Sequence, residues 1–364
     1  MPTALDDDGR ATSRATAVLR LGPVRRWRLS RGPARRLGRV IVPLLLLPAL
    51  LLGQTDPAAA RRRGVHVPRG AYLGAWIKPA NWSFDGWRHA VTGFESRIHH
   101  RLDIVQYYYG WKGWFPTRRE RWEVRNHRIP LISWEGTNTD AIRRGSYDGL
   151  IRGRATAVRK LGRPVFIRWN WEMDRGGPTI PSPASFVAAW RRIVTIFRRR
   201  GALNATFVWC PTAYGFVSGD AQRYWPGRRY VGWVCADGYN WYPGRRSARW
   251  ASFRYVFRRA YAFARRVNRP MIVGEMGVQE DPARPRRKAA WLRGARRTIK
   301  SAYRRIKAVV YFNAERLYDW RLATSAAVCS RSRGAIRRGC DSRDLVPTRR
   351  PTSRISVSAP SGSR

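Results

Sequence analysis

Acidic side chains are scarce in this chain of 364 residues: 23 Asp and Glu stand against 72 Lys and Arg, for a formal charge of +49. A carboxylate at a structurally favoured place therefore carries more information than it would in an average protein. The positive charge is mostly arginine and runs along the whole sequence, which argues against one discrete patch for specific nucleic-acid binding. It reads either as a solvated arginine-rich surface or as a field suited to an anionic cell wall, a membrane face or an acidic polysaccharide. Cysteine is also sparse, with only 4 in the chain. No Cys/His spacing fits a metal site, so neither a metal nor a cofactor is expected. The four cysteines suit an oxidising compartment without requiring one. Cys329 and Cys340 are the better pair, because they bracket an irregular Arg/Ser/Gly-rich segment that lacks other means of staying ordered. Cys210 and Cys235, on consecutive expected strands, either pair across them or stay as buried thiols.

Long apolar runs are missing too. Val40 to Leu52 is interrupted by Pro43 and Pro48 and falls short of the ~20 residues of a membrane-spanning helix. Arg25, Arg26, Arg28, Arg35, Arg36 and Arg39 precede it and Ala58-Ala59-Ala60 follows, the layout of an export signal. Residues 1–60 are therefore expected to be a signal peptide or membrane-targeting segment, and the protein secreted, with retention through this segment as the alternative. Residues 326–364 read as a Cys-containing irregular tail.

Between these ends, 68–325, short apolar and aromatic runs alternate with longer amphipathic stretches, the pattern of repeated βα units. Eight runs are found: Ala71 to Trp76, Leu102 to Tyr107, Ile129 to Trp134, Pro164 to Trp169, Ala205 to Cys210, Val231 to Asp237, Pro270 to Glu275 and Ala308 to Asn313. Their starts lie 26 to 41 residues apart, room for one helix and two loops each. Eight units predict an α/β fold, a closed (β/α)8 TIM barrel, expected to be monomeric. Ser182-Pro183 and Asp281-Pro282 are helix-start signals ahead of two of the amphipathic stretches.

Barrels of this kind carry their chemistry at the C-terminal strand ends. The fourth run continues as Arg168-Trp169-Asn170-Trp171-Glu172 and the seventh ends at Glu275, so two glutamates are expected to face each other across the mouth. A carboxyl pair there suits glycoside cleavage: one attacks the anomeric carbon while the other protonates the departing oxygen. Arg168 would sit beside the nucleophile, and Tyr239, at the end of the sixth run, could donate a hydrogen bond to it. Structural ion pairs for the glutamates and Arg168, and a core position for the tyrosine, are the plain alternatives. Trp76, Trp111, Trp134, Trp171, Trp209 and Trp241 recur near the same ends and are expected to stack on sugar rings.

These residues resemble glycoside hydrolase family 26, the endo-β-mannanase family of the retaining (β/α)8 clan. The similarity is carried by Ile129 to Glu135, Gly145 to Asp148, Arg168 to Met173, Phe207 to Trp209, Tyr230 to Val234 with Asp237 to Asn240, and Met271 to Gly277. The resemblance implies a glycosidase, with Glu172 as acid/base, Glu275 as nucleophile and Tyr239 as its hydrogen-bond donor. It implies a β-linked polysaccharide substrate of β-mannan type. Three places depart from the mannanase pattern. Trp171 stands where a His usually precedes the acid/base, Asp174-Arg175-Gly176 replaces the usual Asn-Gly, and the eighth run ends Tyr311-Phe312-Asn313 where clan members present Trp. β-Glycan hydrolysis is thus the firmer expectation, with mixed-linkage glucan, xylan or an exopolysaccharide as further substrates. The competing class is a noncatalytic polysaccharide-binding or exopolysaccharide-assembly protein on the same barrel.

Overall fold

The computed structural model describes residues 64–323. The expected signal segment, the Cys329–Cys340 pair and the tail lie outside the described residues. Eight parallel strands form a closed barrel in chain order. They are β1 (Tyr72–Ile77), β2 (Ile104–Tyr109), β3 (Ile129–Trp134), β4 (Val165–Trp169), β5 (Ala205–Trp209), β6 (Trp233–Asn240), β7 (Met271–Val278) and β8 (Ile306–Asn313). Closure comes from β1 pairing with β8, Tyr72 beside Ala308 through Ile77 beside Asn313. Each strand is apolar on both faces because one faces the barrel interior and the other the helices.

Helices fill the connections: α1 (Phe84–Ile98), α2 (Arg118–Arg125), α3 (Thr139–Arg144), α4 (Asp148–Leu161), α5 (Pro183–Arg199), α6 (Gly215–Ser218), α7 (Asp220–Arg223), α8 (Phe253–Arg266) and α9 (Arg287–Ser301). In α5, Phe186, Ala189, Trp190, Ile193, Val194 and Phe197 are buried, one stripe at helical spacing. Ser182 caps its start by accepting a hydrogen bond from Ser185 N at 3.1 Å, and Pro183 occupies the first turn. The other expected start behaves differently. Asp281 accepts from Ala283 N and pairs with Arg287, so it closes a turn, and α9 begins only at Arg287. None of the described helices is long and apolar enough to cross a membrane.

Strand alternation divides the core in two. Ile104, Leu131, Phe166, Val208, Trp233, Ile272 and Val310 fill the barrel. Their immediate neighbours Val105, Ile132, Ile167, Trp209, Val234, Val273 and Val309 pack outward against the helices. In β7 the alternation is broken. Ala236 pairs with Val273, but Asp237 pairs with Glu275, so Gly274 is an extra residue. This bulge resets the phase and brings Glu275 to the inward face beside Asp237. Only glycine fits there: a Cβ on Gly274 would lie 2.5 Å from Cys235 Sγ and 2.6 Å from Asp237 Oδ1.

Candidate active site

The inward residues at the upper ends of β2, β4, β6 and β7 converge on Glu275. Its Oε1 accepts from the Tyr108 hydroxyl at 2.6 Å and from Arg168 Nη2 at 2.7 Å, and its Oε2 accepts from the Tyr239 hydroxyl at 2.6 Å. Arg168 is wholly buried. It also donates to Asp237 Oδ2 at 2.7 Å and, through Nε, to Ser133 Oγ at 2.9 Å. Burial alone would favour the uncharged guanidine, but Asp237 and then Glu275 reverse this and hold its pKa above the ordinary arginine value. Burial raises the Asp237 carboxyl well above the usual range, against the pull of Arg168. Burial, followed by the charge of Glu275, also raises the Tyr108 and Tyr239 phenols, so both remain O–H donors.

Glu172 stands on the loop after β4. It has a left-handed backbone, φ 54°, two residues after Asn170 at φ 45°. Such conformations are costly for residues other than glycine and persist where surrounding contacts enforce them. Here Glu172 N donates to Cys210 O at 2.7 Å and Asn170 N to Trp134 O at 2.8 Å, tying the loop to both neighbouring strands. The Glu172 carboxyl accepts from Arg175 Nη1 at 2.9 Å. Its pKa is raised by burial and next by the charge of Glu275, with Arg175 working against both. The two glutamates therefore sense each other electrostatically.

A disulfide joins Cys210 to Cys235 beneath this layer, so of the two alternatives the pair forms. Together with Asp237 these are the one group of His, Cys, Asp or Glu close enough to share a cation among the described residues. The disulfide occupies both sulfurs and leaves no thiolate ligands.

No protein-family model matches the chain. Endoglucanase H of Acetivibrio thermocellus is 29% identical over 287 residues, 74% of this chain and 31% of that protein. The chain thus spans less than a third of that relative's length. Among solved structures, a GH26 β-mannanase from Bacteroides ovatus aligns with a TM-score of 0.52 at 12% identity, over 71% of this chain and 86% of its own. A ruminal GH26 endo-β-1,4-mannanase gives 0.52 at 11% identity, over 70% and 61%. A triply substituted endo-β-1,4-glucanase from Xanthomonas axonopodis pv. citri gives 0.51 at 12%, over 69% and 93%. At these identities the likeness is one of fold, the closed (β/α)8 barrel that the chain shares with these enzymes.

In this barrel the tryptophans separate into two groups. Trp76 is buried, stacked on Phe312 with centroids 4.6 Å apart and edge-on to Tyr108, so it packs the top of the barrel rather than forming the expected sugar platform. Trp171 is half-buried and lies 5.2 Å from the Tyr108 ring and 5.0 Å from the Arg168 guanidinium. Trp241 is half-buried beside Tyr239, with the Arg245 guanidinium 3.5 Å above its ring. Trp134 and Trp209 correct the expectation of a sugar platform, because both are fully buried. Each follows an inward residue, Ser133 or Val208, so it points out to the helices. Trp134 stacks on Trp111, which is itself buried, and donates to Trp111 O; Trp209 packs on Phe216, Trp225 and Phe263 and donates to Tyr224 O. Sequence reasoning missed Tyr108 and Asp237 as members of the Glu275 cluster. The available signal was their alternation in phase with Ile104 and with Trp233.

Proposed function

We propose that the protein is a retaining glycoside hydrolase that cleaves a β-1,4-linked polysaccharide by double displacement, with Glu275 as nucleophile and Glu172 as general acid/base. The observation that carries this reading is the asymmetry of the two carboxyls. Glu275 is fixed by three donors on three different strands, while Glu172 sits on a strained loop with its pKa raised. Such a division of labour between two glutamates is what acid-assisted displacement requires.

In the first step a Glu275 oxygen bonds to the anomeric carbon, the glycosidic C–O bond breaks and Glu172 gives its proton to the departing oxygen. The ester so formed removes the charge on Glu275. Since that charge is one of the causes raising Glu172, its loss lowers the Glu172 pKa and converts the acid into a base. Glu172 then takes a proton from water as the water oxygen attacks the anomeric carbon and frees Glu275. Arg168, Tyr108 and Tyr239 orient the nucleophile throughout, and the half-buried Trp171 beside them offers a ring face for a sugar. The similarity to Endoglucanase H and to β-mannanases supports β-1,4-glucan or β-mannan as the backbone. A polymeric substrate and the arginine-rich apolar segment before residue 60 together support action outside the cell.

The test compares wild type with Glu275→Ala on β-mannan, mixed-linkage glucan and xylan, with the anomer of the first product read by NMR. Turnover with retained configuration, abolished in the variant, is expected. Inverted product refutes double displacement, and indistinguishable proteins that still bind glycan favour a noncatalytic role.

A further inference from the structure

Beside the Glu275 cluster lies a chamber of about 540 Å³, lined in part by Glu172, Arg175, Trp241, Arg245, Tyr255 and Arg258. Its lining takes in Glu172 and not Glu275. If Glu172 protonates the departing oxygen, as proposed above, the chamber holds the sugars on the leaving side of the bond.

The electrostatics of that chamber are one-sided. Its two acidic members are already engaged, Glu172 by Arg175 and Asp237 by Arg168. Arg245 and Arg258 form no ion pair among the described residues; each stacks its guanidinium on an aromatic ring, Trp241 at 3.5 Å and Tyr255 at 3.7 Å. Arg258 spends one donor on Tyr255 O at 2.7 Å. Stacking uses the flat face of a guanidinium and leaves its N–H edge free, the edge that grips a planar carboxylate in a bidentate pair. An arginine-rich composition explains cations on a surface. Arginine–ring contacts recur elsewhere on the protein, and what sets these two apart is that both border, without an acidic partner among the described residues, the concavity that holds the acid/base.

The geometry points to a leaving-side subsite for a carboxylate-bearing sugar, with Arg245 and Arg258 reading the carboxylate, so that the substrate is an acidic β-glycan containing uronic acid residues. Binding is measured by calorimetry on the full chain carrying Glu275→Ala, which prevents turnover. The probes are β-1,4-linked gluco- and manno-oligosaccharides and the same oligosaccharides oxidised at C6 to uronates. The uronate forms are expected to bind about tenfold more tightly at low ionic strength, as charge-assisted bidentate pairs allow. Adding Arg245→Gln with Arg258→Gln is expected to abolish that preference. Arg121→Gln with Arg125→Gln, exposed positions of α2 outside the chamber, lowers the overall charge equally and is expected to leave it intact.

Equal binding of neutral and acidic forms, no binding of either, or a preference lost equally in the control overturns the inference. Wild-type hydrolysis of neutral chains without any uronate preference ends this inference and leaves the hydrolase reading standing. Uronate-selective binding through the two arginines without turnover by wild type does the reverse.

Discussion

Arg168→Met tests whether the cluster under the mouth is held together by its buried charges. The arginine side chain is wholly buried, with one Nη on each of two carboxylates at 2.7 Å. Methionine fills much of the same space, so the main loss is electrostatic. Asp237, equally buried, is left without its cation, whereas Glu275 keeps its two tyrosine donors. Stranding one buried charge in this way costs about 3–5 kcal/mol. The cost is pH-dependent. The folded-state pKa of Asp237 already lies above its ordinary value of 3.8, so the folded protein binds this proton more readily than the unfolded chain. That contribution to stability is complete below the ordinary value and is lost as pH rises through the raised one. Removing Arg168 raises the folded value further, which widens the window. Urea denaturation of wild type and variant at about pH 7.5 and about pH 5 is therefore expected to show a large deficit that shrinks on acidification. Asp237→Asn on top of Arg168→Met is expected to recover much of the loss at the higher pH. A deficit under about 1 kcal/mol, or one that does not change with pH, refutes the account of a charge-held cluster.

Arg175→Gln removes a bond and a charge that lower the Glu172 pKa, so the basic limb of the kcat/KM pH profile moves to higher pH; an unmoved limb separates Glu172 from the acid role. Gly274→Ala forces a methyl against Cys235 Sγ and Asp237 Oδ1, and overpacking of this kind lowers stability by about 1–3 kcal/mol, read as a fall in Tm. Trp134→Ala empties a fully buried site and costs about 3–5 kcal/mol on denaturation, while the KM for polysaccharide stays near wild type because the ring does not reach the cleft.

Much of the barrel is legible in the sequence because each strand is a run buried on both faces, and such runs cannot be spelled with charged residues. Arg168 is the exception that points to the site, a cation inside an apolar strand with a glutamate four residues on. Alternation alone conveys less than it promises. It says that neighbouring residues face opposite ways but does not fix which set faces in, and Trp134 and Trp209 belong to the outward set that the pattern alone does not distinguish. The same gap hides Tyr108 within Tyr107-Tyr108-Tyr109. Its neighbours use their hydroxyls on Glu123 and Glu120 in the helical layer, and only the middle ring reaches Glu275. Asp281-Pro282 misled for a local reason: the aspartate serves a turn that delays α9.

The extra glycine of β7 has a consequence for how this site can change. Because the aim of the nucleophile depends on a count of residues rather than on a side chain, deleting one residue between Val273 and Met276 would not move the acid slightly along the strand. It would turn the carboxylate through the sheet toward the helices and present a different residue to the substrate. The reacting centre can thus be retuned by substitution around it, at Tyr108, Tyr239 or Trp171, but shortening this strand breaks it in a single step.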